Sequence, residues 1–320
     1  MSEKNEKELA DEFFEKCNTL REEIARIIIG QDEAVRLLII SIFCSGHSLL
    51  VGVPGLAKTL LINTLAQALN LDFSRIQFTP DLMPSDIIGA ETLDRDRNFK
   101  FIKGPIFSNV VLADEINRTP PKTQSALLES MQEYAVTIGG TQHKLDRPFF
   151  VLATQNPIEQ EGTYPLPEAQ LDRFMLMIKL DYPDYQTEVE VIKNTTRNTH
   201  IAVKNVISKD EILIFQNLVR SVPVVDNVYE YAVSLVHKTR PGRTGSSTLA
   251  NDYLEWGAGP RASQFLILGA KCHALMTGKY APDIEDVKAV AESVLRHRIV
   301  RNFKAEAAGI SETQIIQDLL

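Results

Sequence analysis

The chain has 320 residues, of which 44% are hydrophobic and 24% are charged. These fractions are ordinary for a globular protein and exclude global disorder or low complexity. The chain carries 42 acidic and 34 basic residues, a net charge of −8, which disfavours a protein that wraps nucleic acid over a broad basic surface.

The N-terminal segment, the cysteines and the longest uncharged run indicate in which cellular compartment the protein is expected. Residues 1–11 are dominated by charge and lack the apolar segment of a secretory signal. Cys17, Cys44 and Cys272 form no CxxC pair, which fits a reducing compartment. The uncharged run 37–53 contains Ser, Gly and His and is interpreted as a helix end followed by a buried strand. We therefore expect a cytoplasmic protein without direct membrane insertion.

Strand-like and helical segments alternate over residues 1–185. Apolar periodicity predicts helices over 6–29, 31–43, 58–69 and 122–133. Short apolar runs predict strands over 47–53, 75–78, 109–113, 148–153 and 175–180. This alternation indicates an α/β fold in which helices cover both faces of a parallel sheet.

The pattern changes after residue 185, where helices dominate. They are predicted over 209–220, 225–239, 260–277 and 284–299. The charge also divides there: residues 1–185 hold 18 basic and 27 acidic side chains, and residues 186–320 hold 16 and 15. We place a domain boundary near this point, with a nucleotide-binding domain over 1–185 and a helical domain over 186–320.

A phosphate-binding loop lies between the first predicted strand and the following helix. Residues 52–59 read Gly-Val-Pro-Gly-Leu-Ala-Lys-Thr, and backbone N–H groups of such a loop bind phosphate at a helix N-terminus. Lys58 is expected to reach the β- and γ-phosphates of ATP, and the Thr59 hydroxyl to coordinate Mg²⁺. The residues predicted to bind ATP here are Val53, Pro54, Gly55, Leu56, Ala57, Lys58, Thr59 and Leu60.

Ala57 departs from the usual pattern, because Gly commonly precedes the lysine of such loops. Since this position opens the helix, we expect a negative φ, at which the alanine methyl group is tolerated.

An acidic pair, Asp114-Glu115, closes the strand predicted over 109–113. Ligands of open α/β sheets bind at the carboxyl ends of strands. We expect Asp114 to hold Mg²⁺ through its water shell, and Glu115 to orient and activate the attacking water. The alternative, a helix cap formed by Asp114, is weaker beside Lys58 and Thr59. This combination predicts an ATP hydrolase.

Three further polar residues are ambiguous when taken alone. Asn156 ends the next predicted strand, but Asn-Pro also commonly begins a turn. Arg173 and Arg261 could each belong to a solvated face or a salt bridge. Their spacing alone does not assign them a role.

Taken together, the motifs resemble those of the MoxR family of AAA+ ATPases, in the clade with an insertion in its second helix. The similarity runs from about residue 24 to residue 310. The stretches that carry it are residues 52–59, Ala113-Asp-Glu-Ile-Asn-Arg-Thr-Pro-Pro-Lys-Thr-Gln124, Ala153-Thr-Gln-Asn-Pro-Ile-Glu-Gln-Glu-Gly162, Pro167-Glu-Ala-Gln-Leu-Asp-Arg-Phe174 and Leu295-Arg-His-Arg298. The resemblance implies a P-loop AAA+ αβα core with a parallel sheet, followed by a smaller all-helical lid.

The resemblance also implies roles for single residues. Asn156 matches the sensor 1 position, and Arg173 matches the arginine finger that reaches the ATP of a neighbouring subunit. Arg261 matches sensor 2, although Gly259 stands where many relatives have Ser. Residues 29–31, which are Ile29, Gly30 and Gln31, match the segment beside the adenine.

Two hairpins and two arginines complete the resemblance. The inserted hairpin is expected around 94–101, and a second hairpin over 135–145 is also predicted by Gly139-Gly140. Both are expected to face a central pore or a bound substrate, with plain surface hairpins as the alternative. Arg240 and Arg243 fit either a solvated loop or the subunit interface.

The resemblance implies a homo-oligomeric ring, expected to be a hexamer, that remodels, matures or chaperones a protein client. A protein with a von Willebrand factor A (VWA) domain is the expected partner. The alternative is the ATPase subunit of a metal chelatase. A nucleic-acid motor is disfavoured by the absence of a strong basic excess in either half. A P-loop GTPase is disfavoured because no Asn-Lys-x-Asp motif occurs in the sequence.

Overall fold

The computed structural model describes residues 5–93, 99–158, 162–196 and 202–320. Its strands are β1 (Ser48–Val51), β2 (Phe73–Gln77), β3 (Gly89–Leu93), β4 (Phe99–Lys103), β5 (Val110–Asp114), β6 (Ala135–Ile138), β7 (Thr141–Lys144), β8 (Phe150–Gln155), β9 (Leu176–Lys179), β10 (Leu254–Trp256) and β11 (Val300–Arg301).

Five of these strands form one parallel sheet in the order β2–β5–β8–β1–β9. Its central strand β8 and its neighbour β5 are buried along almost their whole length, which explains their continuous apolar sequences. Successive side chains point to opposite faces, so Val111 packs in the core on one side and Leu112 in the core on the other. The predicted α/β class with a parallel sheet is therefore confirmed.

Helices cover both faces of this sheet, and further helices form the C-terminal part of the chain. They are α1 (Glu6–Ala25), α2 (Asp32–Phe43), α3 (Lys58–Ala68), α4 (Pro84–Ile88), α5 (Pro121–Glu133), α6 (Glu168–Leu171), α7 (Tyr185–Thr195), α8 (Lys209–Ser221), α9 (Asp226–Lys238), α10 (Thr248–Tyr253), α11 (Pro260–Met276), α12 (Ile284–Leu295), α13 (Phe303–Ala308) and α14 (Glu312–Leu319).

The larger of the two cores joins the sheet to the helices that follow residue 185. Phe13 of α1, Phe43 of α2 and Phe215 of α8 are buried and meet edge to face, with ring centroids 4.9–6.0 Å apart. The first helices thus pack simultaneously on the sheet and on the C-terminal helices. The helical region itself contains one short antiparallel ladder, β10–β11, that the expected all-helical lid did not include.

Two antiparallel hairpins project from the sheet-bearing region. One pairs β3 with β4, and its tip, residues 94–98 of the predicted 94–101 hairpin, lies outside the described residues. The other pairs β6 with β7 around Gly139 and Gly140, both at positive φ, as predicted from that dipeptide. The hairpins touch: the rings of Phe101 and His143 stack with centroids 4.2 Å apart.

Within the described part of the chain, none of the helices combines the length and the apolar character needed to cross a membrane.

Candidate active site

The phosphate loop leaves β1 and enters α3 at Lys58, as predicted from its position after an apolar strand. Gly55 has a φ of +88°, and a Cβ built on it would meet nothing within 4 Å, so the loop encloses open space there. Lys58 is half-buried, and its Nζ donates a hydrogen bond to the carbonyl oxygen of Gly52 over 2.7 Å. The Lys58 side chain is therefore held against the first residue of the loop.

Burial lowers the pKa of Lys58 from its ordinary value. The negative charges of Asp114 and Glu115 act in the opposite direction and favour the ammonium form. The lysine and the acidic pair therefore face one another across the carboxyl end of the sheet, where they were expected to meet.

Ala57 corrects the expectation of a negative φ. Its φ is +53°, in the left-handed region, and it precedes the first residue of α3 as the N-cap. A Cβ is strained in this conformation because it approaches the following carbonyl oxygen. The position that phosphate-binding loops commonly fill with glycine is thus one at which glycine is conformationally favoured.

We expect Ala57→Gly to raise the free energy of unfolding by about 0.5–1 kcal/mol, because relief of the left-handed strain exceeds the entropy that glycine adds to the unfolded chain. Urea denaturation measures this difference. Ala126→Gly, inside helix α5, is the matched control and should lower the same free energy by about 0.5–1 kcal/mol. A loss of stability in both variants contradicts strain at residue 57.

Asp114 ends β5 and is held from two sides. Its Oδ1 accepts a hydrogen bond from the Thr154 hydroxyl over 2.6 Å, and its Oδ2 accepts from Nη2 of Arg75 over 2.6 Å. The hydroxyl oxygen of Thr154 also accepts from the backbone N–H of Glu115 over 2.8 Å. Thr154 therefore sets the position of the whole acidic pair relative to the neighbouring strand β8.

Glu115 is oriented by two donors. Its Oε2 accepts a hydrogen bond from Nε2 of Gln77 over 2.8 Å and from Nη1 of Arg118 over 2.9 Å. Its backbone φ of +57° is unusual for a residue other than glycine and turns the chain sharply after the strand. The carboxylate is thus held in a defined orientation rather than projecting freely into solvent.

Asn156 is buried one residue beyond the end of β8. Its Oδ1 accepts a hydrogen bond from the backbone N–H of Ile158 over 3.2 Å, which closes a turn. This is the turn role that Asn-Pro predicts, and the sensor 1 role stays a prediction.

A small pocket beside the loop includes Ile29 and Gln31, two of the three residues predicted to lie beside the adenine. Its volume is about 100 Å³, and its lining is largely apolar. From the sequence prediction it includes Ile29, Gln31, Gly55, Leu56, Ala57 and Leu60, and to these the structure adds Ile27, Ile28, Pro183 and Val191. Val191 lies on α7 and Pro183 in the turn before it, so α7 and this turn form one wall of the pocket.

Gly30 has a φ of +75° and lies directly against α7, since a Cβ built there would approach Cγ2 of Thr187 to 2.2 Å. We expect Gly30→Ala to displace α7 and weaken ATP binding by about tenfold, because clash and strain of 1–3 kcal/mol fall on the pocket wall. Titration calorimetry with ATP measures the change.

Gly245→Ala is the control for the Gly30 substitution. Its φ is +87°, but a Cβ there meets nothing within 4 Å. The Gly245→Ala variant therefore has the backbone strain of an alanine at positive φ but no steric clash. It should leave the affinity for ATP unchanged. Equal weakening in both variants contradicts the packing of α7 on Gly30.

The two predicted arginines, Arg173 and Arg261, are linked through Asp172, which precedes Arg173 in the chain. Arg173 follows α6, and its Nη1 donates to the carbonyl oxygen of Leu128 over 2.7 Å. Arg261, at the start of α11, donates from Nη1 to Oδ2 of Asp172 over 2.9 Å. Sensor 2 and finger candidates are thus joined through adjacent residues of one segment.

The remaining positions of the sensor 2 segment behave as their residue types suggest. Gly259 caps α11 without a side-chain hydrogen bond, as expected when glycine replaces serine. Arg240 donates from Nε to the carbonyl oxygen of Ala258 over 2.9 Å and so holds the loop that leads into Arg261. Arg243 is exposed, which leaves open the alternatives of a solvated loop and a subunit interface.

Sequence reasoning did not identify Arg75, Gln77, Arg118 and Thr154 as neighbours of the acidic pair. The contact of Thr154 with Asp114 could have been predicted. Strands β5 and β8 were both expected from the sequence, and the carboxyl ends of neighbouring parallel strands meet at one edge of the sheet. The pairing of Gln77 with Asp114 across β2 and β5 depends on strand register, which the sequence alone did not provide.

The comparisons with known proteins agree with this geometry. The profile of the ATPase family associated with various cellular activities (AAA) matches residues 47–176, and that of the AAA lid domain matches residues 246–319. A crystal structure of a protein from Cytophaga hutchinsonii superposes with a TM-score of 0.90 at 47% identity, covering 98% of this chain and 95% of that one. The fold and the matched domains define an AAA+ ATPase.

Three similar proteins indicate which family of AAA+ ATPases the chain belongs to. Chaperone MoxR1 of Mycobacterium tuberculosis is 44% identical over 93% of this chain and 79% of its own length. Uncharacterized protein YeaC of Bacillus subtilis is 40% identical over 93% and 91%. Protein MoxR of Methylorubrum extorquens is 31% identical over 93% and 90%. The chain belongs to the MoxR family of AAA+ ATPases, as its motifs indicated.

Proposed function

We propose that the protein couples ATP binding and Mg²⁺-dependent hydrolysis to the remodelling or maturation of a protein client, acting as a homo-oligomeric, hexameric ring. The observation that carries this proposal is the oriented Glu115 carboxylate beside the phosphate loop. A nucleotide-binding module needs the loop alone, whereas a positioned base implies turnover.

The donor set fits ATP with Mg²⁺. Thr59 would offer a hydroxyl and Asp114 a carboxylate, the hard oxygen ligands that Mg²⁺ takes beside phosphates. The second lone pairs of the Asp114 oxygens can accept hydrogen bonds from metal-bound water while Thr154 and Arg75 hold the first. When bound, the ion neutralises charge on the phosphate oxygens. Asp114 is thereby assigned to metal binding rather than to proton transfer.

The remaining steps of hydrolysis are assigned to side chains and backbone groups of the protein. Lys58 provides positive charge to the phosphates, and the loop N–H groups orient them. Glu115 accepts a hydrogen bond from the attacking water and takes its proton as the water oxygen bonds to the γ-phosphorus; the bond from that phosphorus to the β,γ-bridging oxygen breaks, and ADP leaves. Asn156 assists in orienting that water. Arg173 stabilises the charge that develops on the phosphate of the adjacent subunit, and Arg261 responds to the nucleotide state.

A finger that serves a neighbour requires a head-to-tail interface, and such an interface generates a ring when the rotation between subunits closes. The MoxR and AAA+ relationship supports an oligomeric ring and a protein client. Hydrolysis then depends on assembly, because each site draws its loop and its finger from different subunits. This arrangement is why we expect dilution to lower the specific activity.

The two hairpins are the proposed client-contacting elements. They touch through the Phe101–His143 stack, and a Cβ on Gly139 at the second tip would come within 2.6 Å of the Glu91 carboxylate in the first hairpin. Leu93 and Ile102 of the first hairpin are exposed. Because the two hairpins are in contact, they can move together and displace a bound protein. We propose that this bound protein is a partner with a VWA domain.

Affinity capture tests the client proposal. Glu115→Gln, loaded with ATP, should retain a client that Lys58→Ala, unable to bind ATP, does not retain. The captured protein, purified separately, should raise the ATPase rate of the wild-type chain. Capture of the chain's own copies alone contradicts the client role, and capture of chelatase subunits favours metal insertion instead.

A further inference from the structure

Asp172 lies between two arginines where the finger segment meets the C-terminal helices. Its Oδ2 accepts from Nη1 of Arg261 over 2.9 Å, and its Oδ1 accepts from Nε of Arg298 over 2.8 Å. Arg173 is the next residue in the chain. Two guanidinium groups therefore bind one carboxylate, and a third arginine, whose own guanidinium binds the Leu128 carbonyl oxygen, follows it directly in the chain.

Arg298 is the fixed member of this cluster. Its side chain is only 1% exposed, and it donates to the backbone oxygens of Asp172 (3.0 Å), Phe174 (2.6 Å) and Met175 (3.2 Å). Burial lowers its pKa to about 10, so the group remains a cation at neutral pH. The preceding residue, His297, also contacts the Phe174 oxygen through Nε2 over 3.0 Å. The turn that follows α12 thus holds the backbone on both sides of Arg173.

The exposed member is Arg261, whose side chain is 42% accessible to solvent, compared with 32% for Asp172. An ion pair this exposed contributes little to stability, and it can exchange its partner at small cost. The two ion pairs of Asp172 therefore have different roles. The buried Arg298 anchors the carboxylate, whereas the exposed Arg261 can dissociate from it.

We propose that Asp172 and Arg298 are positioning residues that make the placement of the finger Arg173 depend on the state of sensor 2. Arg298 anchors the finger segment to the lid, and Asp172 holds Arg261 until Arg261 engages nucleotide. Release of Arg261 frees one carboxylate oxygen and lets the segment carrying Arg173 shift. The inference rests on the proposed role of Arg173 in hydrolysis and adds a route by which the lid controls it.

Asp172→Asn tests this inference, because it keeps the shape of the side chain and removes its charge. We expect kcat to fall at least tenfold, while the dissociation constant for ATP changes less than twofold. In an Arg173→Ala background, the same substitution should lower kcat less than twofold further, since the group it positions is gone. Glu285→Gln, which neutralises the exposed partner of Lys288 on α12, is the matched control and should leave kcat unchanged.

A merely structural ion pair predicts a different pattern, in which Asp172→Asn lowers kcat by the same factor in both backgrounds. That result overturns the inference and leaves the finger assignment intact. Wild-type turnover in Arg173→Ala instead overturns the finger assignment, and this inference with it. Arg298→Lys is a second probe, because it retains the charge but not the forked donor geometry. It should reproduce the effect of Asp172→Asn and its dependence on Arg173, and independence from Arg173 counts against the proposal.

Discussion

Glu115→Gln should lower the rate of steady-state ATP hydrolysis by a factor of about 10²–10⁴ while preserving ATP binding. Glutamine retains the size of the side chain and an oxygen that can accept from Gln77 and Arg118, which hold the carboxylate at 2.8 and 2.9 Å. It cannot take a proton from water, and loss of a general base costs about 10²–10⁴ in rate. Phosphate release and calorimetric titration with ATP measure the two quantities.

The control for this substitution is Glu133→Gln, at the exposed end of α5. It makes the same chemical change on the surface and should hydrolyse ATP at the wild-type rate. If Glu115→Gln also hydrolyses at that rate, Glu115 is not the base. If it instead loses ATP binding, its role is structural.

Features encoded over a few consecutive residues were predictable. The strand–loop–helix setting of residues 48–68 was confirmed because apolar burial, the Pro54-Gly55 break and the helix-forming run after Lys58 are each local. The same holds for the hairpin around Gly139, where two adjacent glycines permit the positive φ that a tight turn needs. The fold class followed from the alternation of such units.

Features that depend on distant residues were not predictable from one sequence. The contact of Thr187 with Gly30 joins positions separated by most of the core, and the helix α7 that carries it was itself not predicted. The orientation of Glu115 depends on Gln77, whose side chain reaches it only because β2 pairs with β5 in one particular register. The hydrophobic pattern of a strand constrains which face it buries, but it does not name the strand with which it pairs.

Ala57 shows a different limit. The expectation of a negative φ followed correctly from its place at the start of a helix, yet the structure gives +53°. The loop must reverse direction within a few residues to aim its N–H groups inward, and this geometric demand overrides the preference of alanine. Local propensity therefore fails at a position where the candidate site imposes the backbone conformation.

Arg173→Ala is expected to lower kcat by about 10³ or more, because an arginine finger contributes 10³–10⁵ to the rate of phosphoryl transfer. ATP binding should persist, since the residue lies outside the pocket lined by Ile29 and Gln31 and outside the loop of residues 52–59. In the structure Arg173 donates to the Leu128 carbonyl oxygen of its own chain, so its action on a neighbour requires this bond to break. Arg21→Ala, an exposed arginine on α1, is the control and should retain full turnover.

Subunit mixing separates action on a neighbour from action within one chain. Arg173→Ala retains the loop and lacks the finger, whereas Lys58→Ala lacks the loop function and retains the finger. If the finger serves the adjacent subunit, random rings of the two inactive variants contain about a quarter of sites with both parts intact. Activity should then appear on mixing in proportion to that fraction. Mixtures as inactive as either variant alone place Arg173 at the site of its own chain, and the dependence of hydrolysis on ring assembly then needs another cause.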